Sequence, residues 1–317
     1  MKKIIGIYLF LLSLFLSCNV LSDVYNERWH MMVFVPGGTF QRDATSTNLS
    51  TVSAFYMSEK EITRAQFTAV TGLADPSNTG FSTGTSDPVQ MINWYQALVF
   101  CNKLSMVEGL TPVYTIDGST NPAVWIAATS GIPIDDSIPA YNAIWDAAIC
   151  NWSANGYRLP TEMEWEWAAM GATSDRSNGY TGTGVNTTGY TKGYAGSTEL
   201  LSAQLNIGNY AWYSIAGDGT GENSNGTTHP VGTKLPNELG FYDMSGNVWD
   251  WCWDWFANWS ILVGTQIDYR GAAPGMYRVL RGGDWYNGAL NAAVAYRNNL
   301  IYPFEQSAGV GFRVVRR

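Results

Sequence analysis

Histidine is almost missing from this chain, and what is missing narrows its chemistry. The two histidines, His30 and His229, stand far apart in the sequence. A His-rich iron or zinc centre therefore has no ligand set. Charge is also scarce, at 14% of residues, and the formal net charge is −8 with no basic stripe. That excludes binding to a phosphate backbone as the main task, so no nucleic acid is expected as a partner. Cysteine is limited to four residues, and no CxxC pair occurs. Once an N-terminal leader carrying Cys18 is set aside, Cys101, Cys150 and Cys252 remain, an odd number that cannot pair completely. Each lies in an apolar setting (VFCNKL, AAICNW, WDWCWDW), which favours buried free thiols over a disulfide framework. There is no heptad run, so a monomer is expected. There is no repeat period and no charged linker, so one domain is expected after the leader.

What the chain has in quantity is Gly (33), Tyr (18) and Trp (14) among 317 residues. So much Gly and Trp with so little charge points to a loop-rich fold rather than a helical bundle. The N-terminus reads as an address. Lys2 and Lys3 precede the apolar run Ile4–Phe15, which is followed by Leu16-Ser17-Cys18. A basic start, a short apolar core and a small residue make a secretory signal, and the run is too short for a spanning helix. Cysteine directly after Ser17 resembles a bacterial lipobox, with Phe15 in place of the usual Leu. This predicts a signal peptide over 1–17, lipidation at Cys18, a tether over 18–28 and a domain over 29–317. The expected location is the bacterial cell surface, lipid-anchored in the outer membrane.

Along the domain, Met32–Phe40 reads as a strand, a Pro-Gly-Gly turn and a return, and Thr51–Met57 as one further strand. Thr63 is placed to cap a helix entering Arg64-Ala65-Gln66-Phe67. A second helix is predicted near Trp94–Ser105, with Ala97, Leu98, Cys101 and Leu104 at helical spacing. Thr161 can cap a third, with Glu162 and Glu164 near its positive end. Tyr114–Asn151 carries turns, Ala runs and a hairpin-like pattern, and predicts little else. Val279-Leu280-Arg281-Gly282-Gly283 reads as a strand ending in a turn suited to glycine, and Val310–Val315 as a single closing strand. Between them Tyr, Asn, Gly and Leu are mixed without a period. That mixture fits either a loop over the core or a paratope, where Tyr gives rigid contact area and Asn and Gly adaptable hydrogen bonding.

The segments MVFVPGGTF, FYMSEKEITRAQF, DPVQMINWYQALVFCNKLS, YRLPTEMEWEWAA, LGFYDMSGNVWDW, RVLRGGDW and GFRVVR occur here in one order. In that order they resemble the formylglycine-generating-enzyme, or sulfatase-modifying-factor, family over about residues 32–316. The resemblance implies an α+β fold: the formylglycine-generating-enzyme subtype of the C-type lectin fold, loop-rich, with few strands and two main helices. The family's oxidising members use two copper-binding cysteines after the RGG turn. Aligned on RGGDW and AYRN, those positions hold Ala289 and Val294, so neither a soft-metal ligand nor a thiol nucleophile is implied. The resemblance thus implies no catalytic residue and no catalytic cofactor. It does imply a structural Ca²⁺ held by Asp243, Gly246, Val248 and Asp250, the carboxylates and two main-chain carbonyls of DMSGNVWD.

The C-terminal part also resembles proteins of this fold whose end segment is rewritten by a retroelement acting on adenines. The matching anchors are Arg281-Gly282-Gly283-Asp284-Trp285, Ala295-Tyr296-Arg297-Asn298-Asn299 and Gly311-Phe312-Arg313-Val314-Val315. The implied variable region is 281–316. Its expected ligand contacts are Asp284, Tyr286, Asn287, Gly288, Leu290, Asn291, Tyr296, Asn298, Asn299, Leu300, Tyr302 and Phe304. The pins are expected to be the Gly-Gly turn, Trp285, Arg297 and the GFRVV strand, with Trp249, Trp251, Trp253 and Trp255 packed beneath. The expected function is display of a surface that binds a variable ligand, a protein on a host or neighbouring cell. The alternatives are a formylglycine-generating or other modifying enzyme, and a carbohydrate-binding lectin, although the EPN and QPD motifs are absent.

Overall fold

A computed structural model describes residues 32–129, 131–132, 142–172, 184–200, 205–214, 223–258, 262–272, 274–298 and 301–317. The leader, Cys18, Asn299 and Leu300 fall outside the described residues. Residues 32–317 form one compact unit.

The helices begin where side chains can satisfy their first N–H groups. Helix α1 (Arg64–Thr71) starts at Thr63 and α2 (Trp94–Val107) at Asn93. Two short helices follow, α3 (Pro122–Ala128) and α4 (Ala143–Asp146), and then α5 (Glu162–Ala169), which starts at Thr161. Thr63, Asn93 and Thr161 each form a reciprocal capping box with Gln66, Gln96 and Glu164. Such a pair satisfies two N–H groups that the helix leaves open.

The strands are short and fall into separate small sheets. Strands β1 (Met32–Val35), β2 (Gly38–Gln41), β3 (Leu49–Val52) and β4 (Phe55–Ser58) open the fold. A two-strand ribbon, β5 (Tyr114–Thr115) with β6 (Ile149–Cys150), lies within the stretch the sequence left unread. Later come β7 (Val185–Asn186), β8 (Trp249–Trp255), β9 (Gln266–Ile267), β10 (Arg278–Arg281), β11 (Val310–Gly311) and β12 (Val315–Arg316). The sheet orders are β1-β4-β12, β10-β8-β11 and β7-β2-β3-β9.

Two expectations about strands are corrected. Thr51–Met57 is not one strand: it breaks at Ser53-Ala54, because β3 pairs with β2 while β4 pairs with β1. Val310–Val315 also divides: β11 runs parallel to β8, whereas β12 runs antiparallel to β4. In both cases the chain passes from one sheet to another within a few residues.

Strand β8 is the centre on which the C-terminal region is built. Both its faces are covered, so Trp249, Asp250, Trp251, Cys252, Asp254 and Trp255 are all buried. On one side it carries β10 antiparallel, with a register irregularity between Arg278 and Leu280. Arg278 is fully enclosed there, its guanidinium 3.6 Å from the Trp94 ring and 3.5 Å from the Trp255 ring. Cys101, Cys150 and Cys252 are free and buried, and burial pushes each thiol up. They act as small core residues rather than nucleophiles.

Candidate functional site: a displayed segment held by its main chain

The segment after β10 begins with a turn that needs glycine. Gly282 and Gly283 have φ of +103° and +81°, and a Cβ on Gly283 would lie 3.0 Å from the Ala292 backbone. Trp285 then turns inward. It is buried, stacks on Phe81 with centroids 5.2 Å apart, and donates its indole N–H to the Ala308 carbonyl at 2.9 Å.

Beneath the segment lies a buried ion-pair network. Arg281 donates to Glu162 at 2.9 Å and to Glu166 at 2.6 Å, both on α5. Arg297 donates its Nε and Nη2 to the same Glu162 carboxylate, and its Nη1 to the Ala257 carbonyl. Burial opposes charge on Glu162, but the guanidiniums of Arg297 and Arg281 together hold its carboxyl below the ordinary range. Burial pushes Glu166 up to about 7, against the pull of Arg281. Asp254 on β8 accepts the Glu162 N–H at 2.8 Å and is pushed up to about 8, by burial first and by Glu162 second.

Most of the remaining anchors grip main-chain atoms of the segment. Arg281 Nη1 donates to the carbonyls of Val294 and Tyr296. Ser224 Oγ donates to the Trp285 carbonyl, Ser245 Oγ to that of Ala292, and Asn93 Nδ2 to that of Phe304. The Ser214 N–H donates to the Asn287 carbonyl, and the Trp94 N–H to that of Pro303. Leu280 and Asn298 exchange both backbone bonds as an isolated bridge.

The expected contact residues separate under this frame. Tyr286, Leu290 and Tyr296 are exposed, at 46%, 61% and 39%. Asn287, Gly288, Asn291, Asn298 and Tyr302 are half-buried. Asp284 and Phe304 are buried and face inward, which corrects their reading as contacts. Asp284 Oδ1 accepts from the Tyr286 N–H, the Asn287 N–H and Asn287 Nδ2, and burial pushes its carboxyl up to about 6. Phe304 stacks against Tyr302 at 5.2 Å. Trp249, Trp251 and Trp255 are core, and Trp249 lies 5.8 Å from the Tyr296 ring. Sequence reasoning named Arg297 but missed Glu162 and Glu166 as the carboxylates that fix the platform. Their residue types offered no sign of a partner more than a hundred positions away.

The turn 243–250 lies directly behind the Gly-Gly turn, since the Gly246 N–H donates to the Gly282 carbonyl at 2.8 Å. Asp243 and Asp250 are buried, and each keeps one oxygen, Oδ1, without a hydrogen-bond partner. Asp243 Oδ2 accepts from the Gly232 N–H, and Asp250 Oδ2 from Trp165 Nε1 and Arg313 Nε. Burial pushes Asp243 up to about 6. Glu61 joins the cluster through Asn247 Nδ2 and the Val248 N–H, and burial raises its carboxyl further, with Asp243 and Asp250 adding to the effect. Two buried oxygens without partners suit a hard cation with oxygen ligands. Among the described residues, no group of three or more His, Cys, Asp or Glu side chains is placed to hold a metal. Any ion there would therefore depend on main-chain carbonyls for the rest of its shell.

A family model for the sulfatase-modifying factor enzyme 1-like domain matches residues 19–317. The chain belongs to this family. The sulfatase-modifying factor relatives include the chaperone protein LppX of Paenibacillus barcinonensis, 35% identical over 84% of this chain and 82% of that protein. The formylglycine-generating enzyme of Streptomyces coelicolor is 32% identical over 55% of this chain and 51% of the enzyme. Among solved structures, Treponema denticola variable protein 1 superposes with a TM-score of 0.70 at 34% identity, over 90% of this chain and 94% of that one. CarF, at 23% identity and a TM-score of 0.59, shares the fold. The loop-rich α+β architecture is thus the formylglycine-generating-enzyme form of the C-type lectin fold.

Proposed function

We propose that this protein is a surface-displayed lipoprotein that binds variable ligands, without catalysis, through the segment around residues 284–305. The observation that carries this is the mode of attachment. Arg281, Ser224, Ser245 and Asn93 grip carbonyls, while Tyr286, Leu290 and Tyr296 remain exposed. Main-chain anchors do not depend on which side chains the segment carries, so its surface can change without loss of the frame. The likeness to the Treponema denticola variable protein supports the same reading. The contacts proposed are Tyr286, Asn287, Gly288, Leu290, Asn291, Tyr296, Asn298 and Tyr302, with Asn299 and Leu300 retained from the sequence. The aromatic members would act as anchors. The ligand is proposed to be a protein on a host or neighbouring cell, and Cys18 the point of lipid attachment. Ca²⁺ at Asp243 and Asp250, with the Gly246 and Val248 carbonyls, is proposed as structural: it would neutralise buried carboxylates and stiffen the turn behind Gly282.

Ala289 and Val294 stand where the oxidising enzymes' cysteines would align, which supports a non-catalytic role. The test is to sequence the DNA beside this gene and across sister isolates. An Asn-rich near-copy of the segment, with differences confined to adenine positions, is the expected result. An invariant 284–305 segment with no such copy would overturn the reading. Copper-dependent oxygen uptake with a cysteine-containing sulfatase peptide would establish the enzyme alternative instead.

A further inference from the structure

Beside the far end of the displayed segment lies a cavity of about 460 Å³, open on one side. Leu73, Pro76, Ile126 and Ile132 give it apolar walls, and Gln96 and Gln306 give it one polar edge. This is the size and make-up of a small-molecule or side-chain site: mostly apolar, with few placed polar groups.

The polar edge has a fixed orientation. Gln96, on the first turn of α2, is only 5% exposed, and its Oε1 accepts the Asn93 N–H at 2.9 Å. The main-chain donor settles which end of this amide is oxygen. Gln306 Nε2 donates to the Met91 carbonyl at 2.6 Å, which settles the second amide in the same way, and also to Gln96 Oε1 at 3.3 Å. Two groups are left over among the described residues: the Gln96 Nε2 donor and the Gln306 Oε1 acceptor have no hydrogen-bond partner. Both residues line the open cavity, so a bound ligand can pair the donor and the acceptor that the protein leaves over. Among the described lining residues the one carboxylate, Asp75, is already taken by Arg64 Nε and the Ser77 N–H. The described lining residues therefore offer no free charge.

We propose that this cavity is a binding subsite for an uncharged carboxamide carrying an aliphatic group, such as an amide side chain beside a leucine-like residue in a partner peptide. A carboxamide presents one acceptor and one donor side by side. Its carbonyl takes the Gln96 N–H and its N–H₂ gives to Gln306 Oε1, while the aliphatic part covers Leu73, Pro76, Ile126 and Ile132. A carboxylate lacks the donor and would bring an unpaired charge into an apolar wall; an ester also lacks the donor. The subsite is built on α2, on Ile126 of α3 and on Gln306, which lies just past the proposed contacts 284–305 but within the implied variable region. It stands or falls independently of the variable-ligand reading.

The probe is 4-methylpentanamide, titrated into the protein by saturation-transfer NMR and calorimetry, with 4-methylpentanoate and its methyl ester as comparators. A ligand this small is expected to bind with Kd on the order of 1 mM. The amide should bind at least tenfold more tightly than either comparator, since a site built to pair a donor rejects an analogue without one. Gln306→Leu should weaken it about tenfold, and Ile126→Trp, which fills the cavity, should abolish it. Gln96→Leu also removes a helix cap, so those two variants carry the decision, with tryptophan fluorescence checking that each is folded. Equal binding of amide and ester, unchanged binding by folded Ile126→Trp, or no saturation at concentrations tens of times the expected Kd would each overturn the proposal.

Discussion

Asp254 gives the sharpest test of the buried platform. Its carboxyl is pushed up to about 8, chiefly by burial and then by Glu162, and its Oδ1 has no partner. The unfolded value is about 3.9. The folded value is therefore the higher one, so the folded protein holds the extra proton. The associated stability is complete below about pH 4 and is lost as pH rises through about 8. A shift of about 4 units at roughly 1.4 kcal/mol each sets an upper bound near 6 kcal/mol. Relaxation and water entry reduce such figures, and a loss of about 2–3 kcal/mol between pH 5 and pH 8.5 is expected from this group. Asp254→Asn removes the titration while keeping an oxygen for the Glu162 N–H. Urea unfolding followed by tryptophan fluorescence at the two pH values measures the slope. The variant should match the native protein within about 1 kcal/mol at pH 5 and exceed it by about 2 kcal/mol at pH 8.5. Glu166, at about 7, and Asp243 and Asp284, each at about 6, push the native slope in the same direction and persist in the variant. Glu162 has the opposite sign, but its lowered value puts its window below that range. An unchanged slope in Asp254→Asn would refute the account of how this platform holds its charges.

Calcium should raise the melting temperature relative to EDTA, because a ligand bound only to the folded state stabilises it by about 2.7 kcal/mol at a hundredfold excess over Kd. The effect should fade below about pH 6 as Asp243 protonates, and Asp243→Ala should abolish it; identical melting in calcium and EDTA would remove the metal from the account. Leu290→Ala and Tyr286→Ala should change stability by no more than about 0.5 kcal/mol, as exposed residues do. Arg281→Met should cost about 3–5 kcal/mol, because Glu166 is left buried without its cation. Denaturant midpoints for the three variants check that contrast, and a destabilised Leu290→Ala would mean that its side chain belongs to the frame.

The sequence revealed the local devices and hid the distant ones. Thr63 and Thr161 are legible as helix starts because capping is settled within a single turn. Gly282 and Gly283 are legible because only a positive φ explains two glycines after a strand. The divisions at Ser53-Ala54 and after Gly311 are not legible, since they depend on which sheet each half joins. Asp284 carries the same limit. Its residue type suits a contact, but its burial follows from Gly309, where a Cβ would lie 2.0 Å from Asp284 Oδ2. The Glu162–Arg281–Arg297 network is likewise silent in the sequence, where Glu162 shows only its place in a helix's first turn.

That network bears on why charge, scarce elsewhere, is concentrated under this segment. Apolar packing is non-directional and would hold the segment through its side chains, so every change of side chain would alter the fit by the transfer and cavity terms. A guanidinium reaching the Val294 and Tyr296 carbonyls holds the chain at atoms that every residue possesses. Burying that guanidinium is costly, and it is tolerable here only because two glutamates and two carbonyls satisfy it at once. The expense falls on residues of the frame: Arg281 on β10, and Glu162 and Glu166 on α5. The outward residues bear almost none of it. Stability and surface identity are thereby carried by different atoms, which is the arrangement a binding surface needs if its side chains are to change while its shape persists.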